Sequence, residues 1–369
     1  MRIICTVTND LSHDQRMHRI CTTLQAAGHE VTLIGRIMPH SGPLPDRPYR
    51  QERLRCRYHV GKRFYAEFNF RLWQSLRRRT YDVVCAVDLD TLLPAIVASG
   101  RHRAVVYDAH EWFSETPEVA PRPLIRAAWR GLGRALVPRT EARYTVGETL
   151  ARQLEEDYGR PFAVVRNLPQ QARNSFCENS GGVILYQGML NPGRGLDTAI
   201  RAMAEVPQGE LWIVGEGPEA PRLVRLANEL NLSDRVKFLG FVPPEELPAV
   251  TARAWLGLNL LADSSPSYYY SLANKALDYL QSGLPSIQMD FPEYRALQEE
   301  YHCFELLPEL SAPALAARIN VLAANPARYA RLRRACREAA RELCWEKEAP
   351  KLLAIYGAVE ERLRAKRGD

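Results

Sequence analysis

Membrane-spanning segments, a secretion signal and paired cysteines are all missing from this sequence. No stretch reaches the roughly 18–20 uncharged apolar residues that a membrane-spanning helix needs. The amino terminus lacks the apolar core and small-residue cleavage site of a signal peptide. The eight cysteines are scattered without a CxxC pair, which argues against a disulfide framework or a zinc site. These absences predict a cytoplasmic protein without a metal site.

Positive charge is concentrated in the first half of the chain. Residues 1–166 contain 26 Lys and Arg against 18 Asp and Glu, whereas the remainder contains 23 against 25. A basic surface attracts anionic lipid head groups or phosphorylated substrates. A solvated face without a charged partner explains the excess equally well. Peripheral contact with the inner face of a membrane is therefore one of two interpretations, and no nucleic-acid partner is expected.

Short apolar runs alternate with helical patterns through the first half. Most runs are rich in Val and Ile and nearly continuous, which is typical of parallel strands buried on both faces. Strands are predicted at 2–7, 30–35, 56–60, 82–87, 104–109, 142–146 and 162–166. Between the first two, Ser12 and Gln15 predict a capping box and Gly28 predicts the end of a helix.

The alternation restarts after a predicted linker from Asn167 to Gly182. Strands are predicted at 183–187, 211–215, 236–239, 255–261 and 286–289, and helices at 196–205, 221–230, 244–253 and 274–282. Two doubly wound parallel sheets are the simplest account of this pattern. Ligands of such sheets bind at the carboxyl ends of the strands, near helix amino termini.

Two glycine-containing turns follow predicted strands of the second half. Residues 188–195 read Gly-Met-Leu-Asn-Pro-Gly-Arg-Gly, and residues 215–218 read Gly-Glu-Gly-Pro. Glycines allow backbone amides to approach a phosphate, and Arg194 can supply a positive charge. Ordinary strand–helix turns have the same composition, so both interpretations stay open.

The segment 267–285 predicts a helix that starts close to a ligand. Asn274 and Asp278 are four residues apart and share one helix face. The amino end of this helix can meet a diphosphate, and Asp278 can accept hydrogen bonds from ribose hydroxyls. The alternative is a surface ion pair between Lys275 and Asp278, with Gly283 as a helix stop.

These motifs, taken in order, resemble those of glycosyltransferase family 4, also called glycosyl transferase group 1. The matching segments are Asp14-x-Arg16, Tyr107-Asp108-Ala109-His110-Glu111, the two glycine turns, Gly240-Phe241-Val242-Pro243 and Asn274-Lys275-x-x-Asp278-Tyr279-x-x-x-Gly283-x-Pro285. The resemblance implies the GT-B fold, an α/β architecture in which two Rossmann-like domains face a central cleft. It implies an acceptor domain at 1–170, a donor domain at 171–345 and a final helix at 346–369 that crosses back to the first domain.

The activity implied by the resemblance is a retaining, metal-independent transfer of a hexose-type sugar. The donor would be a UDP- or GDP-sugar, and the acceptor a glycan or lipid-linked precursor in cell-surface polysaccharide synthesis. No cofactor is implied, because the nucleotide sugar is a substrate. Two alternatives stay open: a non-catalytic homologue that binds sugar nucleotides, and a sugar-nucleotide epimerase of the same fold.

The resemblance also implies roles for individual residues. The catalytic residues would be His110, Arg194 and Lys275. The donor site would include Gly188, Gly215, Glu216, Gly217, Val242, Tyr270, Ser271, Leu272, Ala273, Asn274 and Asp278. The acceptor side would include Asp10, Arg16, Asp88 and Glu111. Asp88-Leu89-Asp90 superficially resembles a metal-binding DxD motif, but a structural or acceptor-side pair is the preferred interpretation.

The chain departs from the family pattern at two places. The first acid of the family's Glu-x7-Glu motif falls on Tyr270, and the second is Asp278, which is one methylene shorter than Glu. The Gly-Arg pair that often follows the first donor-domain strand is Gly188-Met189 here. One phosphate-binding cation is therefore expected to be missing, and Lys275 is a candidate to replace it.

Overall fold

The computed structural model describes residues 1–39, 41–100, 102–171 and 182–367, which form two compact units. Unit 1 comprises Met1–Asn167 with Glu348–Asp369, and unit 2 comprises Leu168–Lys347. Most of the predicted linker, residues 172–181, lies outside the described residues. Within the described part, none of the helices combines the length and the apolar character that crossing a bilayer requires.

Unit 1 is built on a parallel sheet. Its described strands number seven and follow the order β3-β2-β1-β4-β5-β6-β7. Their bounds are β1 (Arg2–Thr6), β2 (Glu30–Arg36), β3 (Arg50–Leu54), β4 (Val83–Val87), β5 (Ala104–Ala109), β6 (Ala142–Thr145) and β7 (Ala163–Val164). The central strands β4 and β5 are buried along their whole length, which accounts for their continuous apolar runs. The predicted doubly wound sheet of the first half is confirmed.

Helices connect the strands of unit 1 on both faces of the sheet. They are α1 (Gln15–Ala26), α2 (Gly61–Arg77), α3 (Leu89–Ser99), α4 (Pro123–Leu136) and α5 (Glu148–Tyr158). α1 buries Met17, Ile20, Cys21 and Leu24, the apolar stripe expected of an amphipathic helix against a sheet. The cysteines of the described residues are all free, and most of them are buried.

The strand predicted at residues 56–60 is wrong. This segment is a loop before α2, and Val60 is 83% exposed. The third strand is instead β3, whose sequence RQERL has no apolar run because it lies at the edge of the sheet and is half-exposed. An edge strand has no need of a continuous apolar sequence, so the pattern gave no signal for it.

The predicted cap of α1 is also wrong. Asp14, not Ser12, is the residue that precedes the helix, and its carboxylate accepts a hydrogen bond of 2.9 Å from the amide of Met17. The hydroxyl of Ser12 is buried and has no hydrogen-bond partner within the structure described. The segment up to Ser12 is instead held by Asp10, whose carboxylate accepts from the amide of Ser12.

Unit 2 repeats the architecture. Its six described strands follow the order β10-β9-β8-β11-β12-β13, all parallel. Their bounds are β8 (Val183–Gln187), β9 (Glu210–Val214), β10 (Val236–Gly240), β11 (Leu256–Asn259), β12 (Ser286–Met289) and β13 (Phe304–Leu307). The second predicted sheet is confirmed, and β13 is an additional edge strand.

The helices of unit 2 follow the same alternation. They are α6 (Leu196–Ala202), α7 (Ala220–Glu229), α8 (Leu247–Thr251), α9 (Pro266–Tyr269), α10 (Asn274–Gln281), α11 (Pro292–Tyr301), α12 (Ala312–Ala324) and α13 (Pro326–Glu342). A final helix, α14 (Trp345–Arg367), ends the described chain, and its residues from Glu348 onward belong to unit 1.

The corrected cap of α1 leads to a stability prediction. Asp14→Ala is expected to lower the free energy of unfolding by about 1 kcal/mol, because the amide of Met17 loses its acceptor. Asp14→Asn keeps a capping oxygen and is expected to restore most of the loss. Ser12→Ala is expected to change stability by less than about 0.5 kcal/mol, since its hydroxyl has no partner to lose. Urea unfolding of the three variants measures this, and an equal loss for Ser12→Ala and Asp14→Ala would contradict the assignment.

Candidate functional site

Three glycines shape the carboxyl edge of the sheet of unit 2. Gly188, Gly215 and Gly217 have φ values of 135°, 130° and 158°, which residues with a Cβ atom rarely adopt. A Cβ atom on Gly215 would collide with the carbonyl of Gly188, and one on Gly217 would lie 2.5 Å from the carbonyl of Leu190. The turns after β8 and β9 therefore pack backbone against backbone.

Arg194 lies in the first of these turns, immediately before α6. Its guanidinium carbon is 4.9 Å from the centre of the Tyr268 ring. Its Nε atom is buried and has no hydrogen-bond partner in the structure described. A buried guanidinium nitrogen without an acceptor is costly unless a ligand supplies one. The position is therefore suited to an anion.

Lys275 lies in the first turn of α10, beside the same glycine turn. Its Nζ atom is 4.8 Å from the centre of the Tyr186 ring and 3.3 Å from the point where a Cβ atom of Gly188 would be. Burial lowers the pKa of Lys275, and the positive charge of Arg194 lowers it further, to about 7. The two cations are thus close enough to repel each other. Both properties are expected of a site that an anion completes.

A buried tyrosine anchors α10 to the sheet. The hydroxyl of Tyr279 accepts a hydrogen bond of 3.1 Å from the amide of Gln187 and donates one of 3.2 Å to the carbonyl of Leu185. Its ring fills the space above Gly257, where a Cβ atom would lie 2.5 Å from the ring. Because Lys275 is on the same helix, this anchor holds the ammonium group at the end of β8.

Asp278 lies one turn further along α10 and is half-buried. Its carboxylate accepts a hydrogen bond of 3.2 Å from the side-chain amide of Gln187, whose oxygen accepts one of 3.0 Å from Thr251. Gln187 therefore orients Asp278, a role that the sequence pattern did not predict. A polar residue at the last position of a buried strand was the available signal.

Several residues of the predicted donor site have other roles. Leu272 is buried in the main core cluster of unit 2. The amide of Ala273 donates to the hydroxyl of Tyr294 at 2.9 Å, and the hydroxyl of Ser271 donates to the carbonyl of Tyr268 at 2.8 Å. These groups support the loop before α10, so their existing bonds would have to break before they could contact a diphosphate.

The remaining predicted donor residues are more accessible. Glu216 and Asn274 are exposed, and Tyr270 is half-buried with its ring edge-on to that of Tyr269 at 5.1 Å. Val242 is half-buried and packs against the second core cluster of unit 2. Val242 is therefore partly a packing residue.

Unit 1 carries a separate cluster of charged side chains at the carboxyl ends of β4 and β5. Asp108, fully buried at the end of β5, forms an ion pair of 2.7 Å with Arg16 of α1 and accepts a second bond of 3.3 Å from the same guanidinium. Arg16 also donates to the carbonyl of Val165 at 3.0 Å. Two hydrogen bonds to one carboxylate fix both groups in position.

His110 extends this chain of charges. Its Nε2 atom lies 3.1 Å from the carboxylate of Asp108. Burial lowers the pKa of His110, but the charge and hydrogen bond of Asp108 outweigh it and raise the pKa to about 9. Burial raises the pKa of Asp108, but Arg16 and His110 lower it to about 2. The imidazole is therefore charged at neutral pH and is a hydrogen-bond donor rather than a base.

Two further carboxylates face this cluster. Asp88 has a φ of 57° and accepts a hydrogen bond of 2.9 Å from the amide of His110. Asp90 is buried and accepts one of 2.9 Å from Thr8, and burial together with the charge of Asp88 raises its pKa to about 7. Within the described residues, no three His, Cys, Asp or Glu side chains are arranged to hold a metal ion.

The predicted acceptor-side residues are only partly brought together. Arg16 and Asp88 both contact the cluster around His110, and Glu111 follows it as an exposed residue. Asp10 instead contacts the loop after β2, where its carboxylate accepts from the hydroxyl of Ser41 at 3.1 Å. Asp108, the centre of the cluster, was present in the motif but had no predicted role.

Models of known families match both halves of the chain. Residues 14–168 match the model described as Glycosyltransferase Family 4, and residues 170–343 match the model described as Glycosyl transferases group 1. Together the two matches span most of the described residues. The two matched ranges coincide with the two halves of the chain that carry the motifs of the sequence resemblance.

Two curated relatives illustrate the range of similarity. The lipopolysaccharide core biosynthesis glycosyltransferase LpsD of Rhizobium meliloti (strain 1021) is 42% identical over 59 residues, which is 16% of this chain and 17% of that protein. The D-inositol 3-phosphate glycosyltransferase of Salinispora tropica is 27% identical over 202 residues, which is 51% of this chain and 41% of that protein. The chain therefore aligns with less than half the length of either relative.

Solved structures resemble the whole chain. Sucrose-phosphate synthase from Thermosynechococcus elongatus superimposes with a TM-score of 0.81 at 18% identity, covering 98% of this chain and 100% of that one. HepE of Anabaena, in complex with UDP-glucose, gives a TM-score of 0.75 at 16% identity, covering 99% and 100%. At these identities the similarity shows that the folds agree.

The electrostatic description of His110 leads to a titration prediction. In the unmodified protein its imidazole is expected to titrate at a pKa of about 9. Asp108→Asn is expected to lower this pKa below the ordinary value of about 6.5, because burial and the charge of Arg16 remain while the paired carboxylate is lost. NMR titration of the imidazole measures both values.

Asp88→Asn is the matched control. The carboxylate of Asp88 accepts a hydrogen bond from the backbone amide of His110, but it lies 4.0 Å from Nδ1 of the imidazole ring and forms no hydrogen bond with the ring. A smaller decrease in the pKa of His110 is expected there. An unchanged pKa in folded Asp108→Asn protein would contradict the proposed pairing.

Proposed function

Because this chain belongs to the group 1 glycosyltransferases and shares their GT-B fold, we propose that it transfers a hexose-type sugar from a UDP- or GDP-sugar with retention of configuration. The proposed acceptor is a glycan or lipid-linked precursor in cell-surface polysaccharide synthesis. One observation carries the proposal: Arg194 and Lys275 lie close together beside the glycine turns at the edge of the sheet of unit 2, and the Nε atom of Arg194 is buried without a hydrogen-bond partner in the structure described.

The proposed role of these two cations follows from the charge that the reaction develops. When the bond between the anomeric carbon and the diphosphate breaks, negative charge accumulates on the leaving oxygen. Arg194 and Lys275 would stabilise that charge, and the amino end of α10 adds its positive dipole. We propose that no metal ion or cofactor is required, because a bound diphosphate would favour the charged form of Lys275 and would then face two positive charges, Lys275 and Arg194.

The other donor contacts are proposed on the same edge. Asp278, oriented by Gln187, would accept hydrogen bonds from the ribose hydroxyls. The backbone of Gly188, Gly215 and Gly217 would lie along the phosphates, with Glu216 near the base. The complex of HepE with UDP-glucose supports a nucleotide-sugar donor, since that protein shares the fold.

Unit 1 is proposed to bind the acceptor. His110, charged at neutral pH, would donate a hydrogen bond to a sugar hydroxyl, while Asp88 and Glu111 would accept from others. Arg16 and Asp108 would position His110 without contacting the substrate. The similarity to LpsD, a lipopolysaccharide core transferase, supports an acceptor of the cell surface.

We propose a transfer in which both bonds lie on one face of the sugar. The anomeric carbon loses its bond to the diphosphate oxygen and gains one to the acceptor oxygen. The acceptor proton passes to the leaving diphosphate. In this mechanism no carboxylate attacks the sugar, so Tyr270 in place of an acid is compatible with turnover.

The exposed surface of unit 1 supports peripheral contact with an anionic membrane. Its exposed large apolar residues all lie on α2, α3 and α4 or at the residue that precedes α2. They are Val60, Phe70, Leu93, Val97, Leu124 and Ile125. Exposed basic residues lie on or next to α2 and α4, and they are Lys62, Arg63, Arg71, Arg77, Arg78, Arg122 and Arg134. This combination is typical of helices that lie in a lipid interface.

Donor binding and transfer test the proposed activity. Arg194→Ala and Lys275→Ala are each expected to weaken binding of the accepted donor by at least about tenfold, equivalent to about 1.4 kcal/mol. Arg201→Ala, which removes an exposed arginine of α6, is the matched control and is expected to bind normally. A panel of UDP- and GDP-sugars, assayed by calorimetry and by product analysis, identifies the donor.

The same panel separates the alternatives. A donor that binds but is neither hydrolysed nor transferred, whichever acceptor is added, would indicate a non-catalytic homologue. A changed sugar nucleotide formed without any acceptor would indicate an epimerase. Failure of every donor to bind would overturn the proposal. Loss of sugar transfer when a chelator removes divalent metal ions would overturn its metal-independent form.

The membrane contact is tested by sedimentation with vesicles. The protein is expected to co-sediment with vesicles that contain phosphatidylglycerol and to stay in the supernatant with vesicles of phosphatidylcholine alone. Leu124→Glu combined with Phe70→Glu is expected to reduce the vesicle-bound fraction at least about fivefold, since two apolar side chains that would enter the lipid interface are replaced by charged ones. Val224→Glu, on an exposed position of unit 2, is the control. Dimers in analytical ultracentrifugation that dissociate in the double variant would instead assign the surface to a second copy.

A further inference from the structure

A large cavity in unit 2 is not part of the proposed donor site. Its volume is about 790 Å³, and helices α12 and α13 form one side of it. Ile184, near the start of β8, lines the cavity, whereas the donor turn at Gly188 follows the other end of that strand. Gly188 is four positions after Ile184, which in a strand is a distance of about 13 Å. The cavity therefore opens at the opposite edge of the sheet.

The walls of the cavity are apolar and partly aromatic. Aliphatic side chains come from Ile184, Val206, Ile319 and Leu322. The rings of Trp255 and Tyr329 also line it, stacked at 5.2 Å with an angle of 13° between their planes.

A hydrogen bond of 2.7 Å from the hydroxyl of Tyr329 to the carbonyl of Trp255 fixes the stack. A rigid aromatic wall is suited to a flat ligand, because little side-chain entropy is lost on binding.

One positive charge in this wall has no counterpart. Arg333 lines the cavity, and its Nη2 atom is buried without a hydrogen-bond partner in the structure described. None of the described lining residues is an aspartate or glutamate. A buried guanidinium nitrogen without an acceptor is destabilising, and a ligand oxygen would remove that cost.

We propose that this cavity binds a small, flat, largely apolar molecule that carries one anionic group. The ring system lies against Trp255 and Tyr329, and the anion accepts a hydrogen bond from Arg333. The volume is in the range of about 300–1,000 Å³ that small-molecule sites occupy. The proposal is independent of the proposed transferase activity, since it uses none of the residues assigned to the donor.

Two fluorescent probes that differ in charge test the proposal. 8-Anilino-1-naphthalenesulfonate is anionic, whereas N-phenyl-1-naphthylamine has a similar ring system and no charge. Both are expected to bind to one saturable site. Arg333→Met is expected to weaken the anionic probe at least about fivefold and the neutral probe less than about twofold. Arg331→Met, at an exposed position of the same helix, is the control and is expected to change neither.

A second variant tests the proposal by filling the cavity with a large side chain. Ala323→Trp places a large ring in the cavity and is expected to weaken both probes at least about tenfold. Val321→Trp adds the same ring at an exposed position of α12 that does not line the cavity, and it is expected to leave both affinities unchanged. Thermal melting of each variant confirms that it is folded before its affinities are compared.

Three results would overturn the proposal. Displacement of the anionic probe by excess UDP-glucose would assign it to the donor edge. Equal affinities in the unmodified protein, Arg333→Met and Ala323→Trp would remove the cavity as the site. Markedly tighter binding to a variant that lacks residues 172–181, which directly precede Gly182 in the sequence, would show that the chain itself competes for the cavity.

Discussion

The burial of Lys275 beside Arg194 is the constraint on which the carboxyl edge of the sheet of unit 2 depends. Burial and the neighbouring guanidinium both disfavour the charged ammonium, which is why the pKa of Lys275 falls to about 7. Such an arrangement reduces stability and persists only where the surrounding structure holds it in place. Tyr279 supplies part of that support, because its buried hydroxyl joins α10 to the amide of Gln187 and the carbonyl of Leu185. This support explains how the two cations stay close together, as the proposed diphosphate site requires.

Unit 1 treats its charges in the opposite way. Asp108 is neutralised by Arg16 on one side and by His110 on the other, so the central carboxylate stays ionised although it is fully buried. Arg16, Asp108 and charged His110 together carry one net positive charge, and the carboxylate of Asp88 lies 4.0 Å from the imidazole. Burial and the charge of Asp88 raise the pKa of Asp90 to about 7. A paired network of this kind orients hydrogen-bond donors and acceptors rather than attracting a free anion. This contrast supports separate roles for the two units, one for a diphosphate and one for hydroxyl groups.

Sequence patterns predicted the central strands and, among the described strands, missed two of the four at the sheet edges, β3 and β13. β4 and β5 are buried on both faces, so their apolar runs were unambiguous, whereas β3 is a charged edge strand that leaves no such signal. Glycine turns and Arg194 could be predicted because backbone geometry and charge are local properties. Gln187, Tyr294 and Asp108 could not be assigned, because their roles depend on contacts between residues distant in sequence. For the same reason Ala273 was included in the predicted donor site although its amide donates a hydrogen bond to the hydroxyl of Tyr294.

The departure at Met189 has a structural counterpart in Lys275. The sequence pattern suggested a missing cation after β8, and the ammonium group of Lys275 lies 3.3 Å from the position that a Cβ atom of Gly188 would take. A side chain at residue 188 would therefore displace the ammonium group or force the helix away from the strand. The absence of a side chain at Gly188 thus leaves room for an ammonium group supplied by α10. The exposed Met189 side chain carries no charge, and the positive charge beside Gly188 comes from a residue 87 positions further along the sequence.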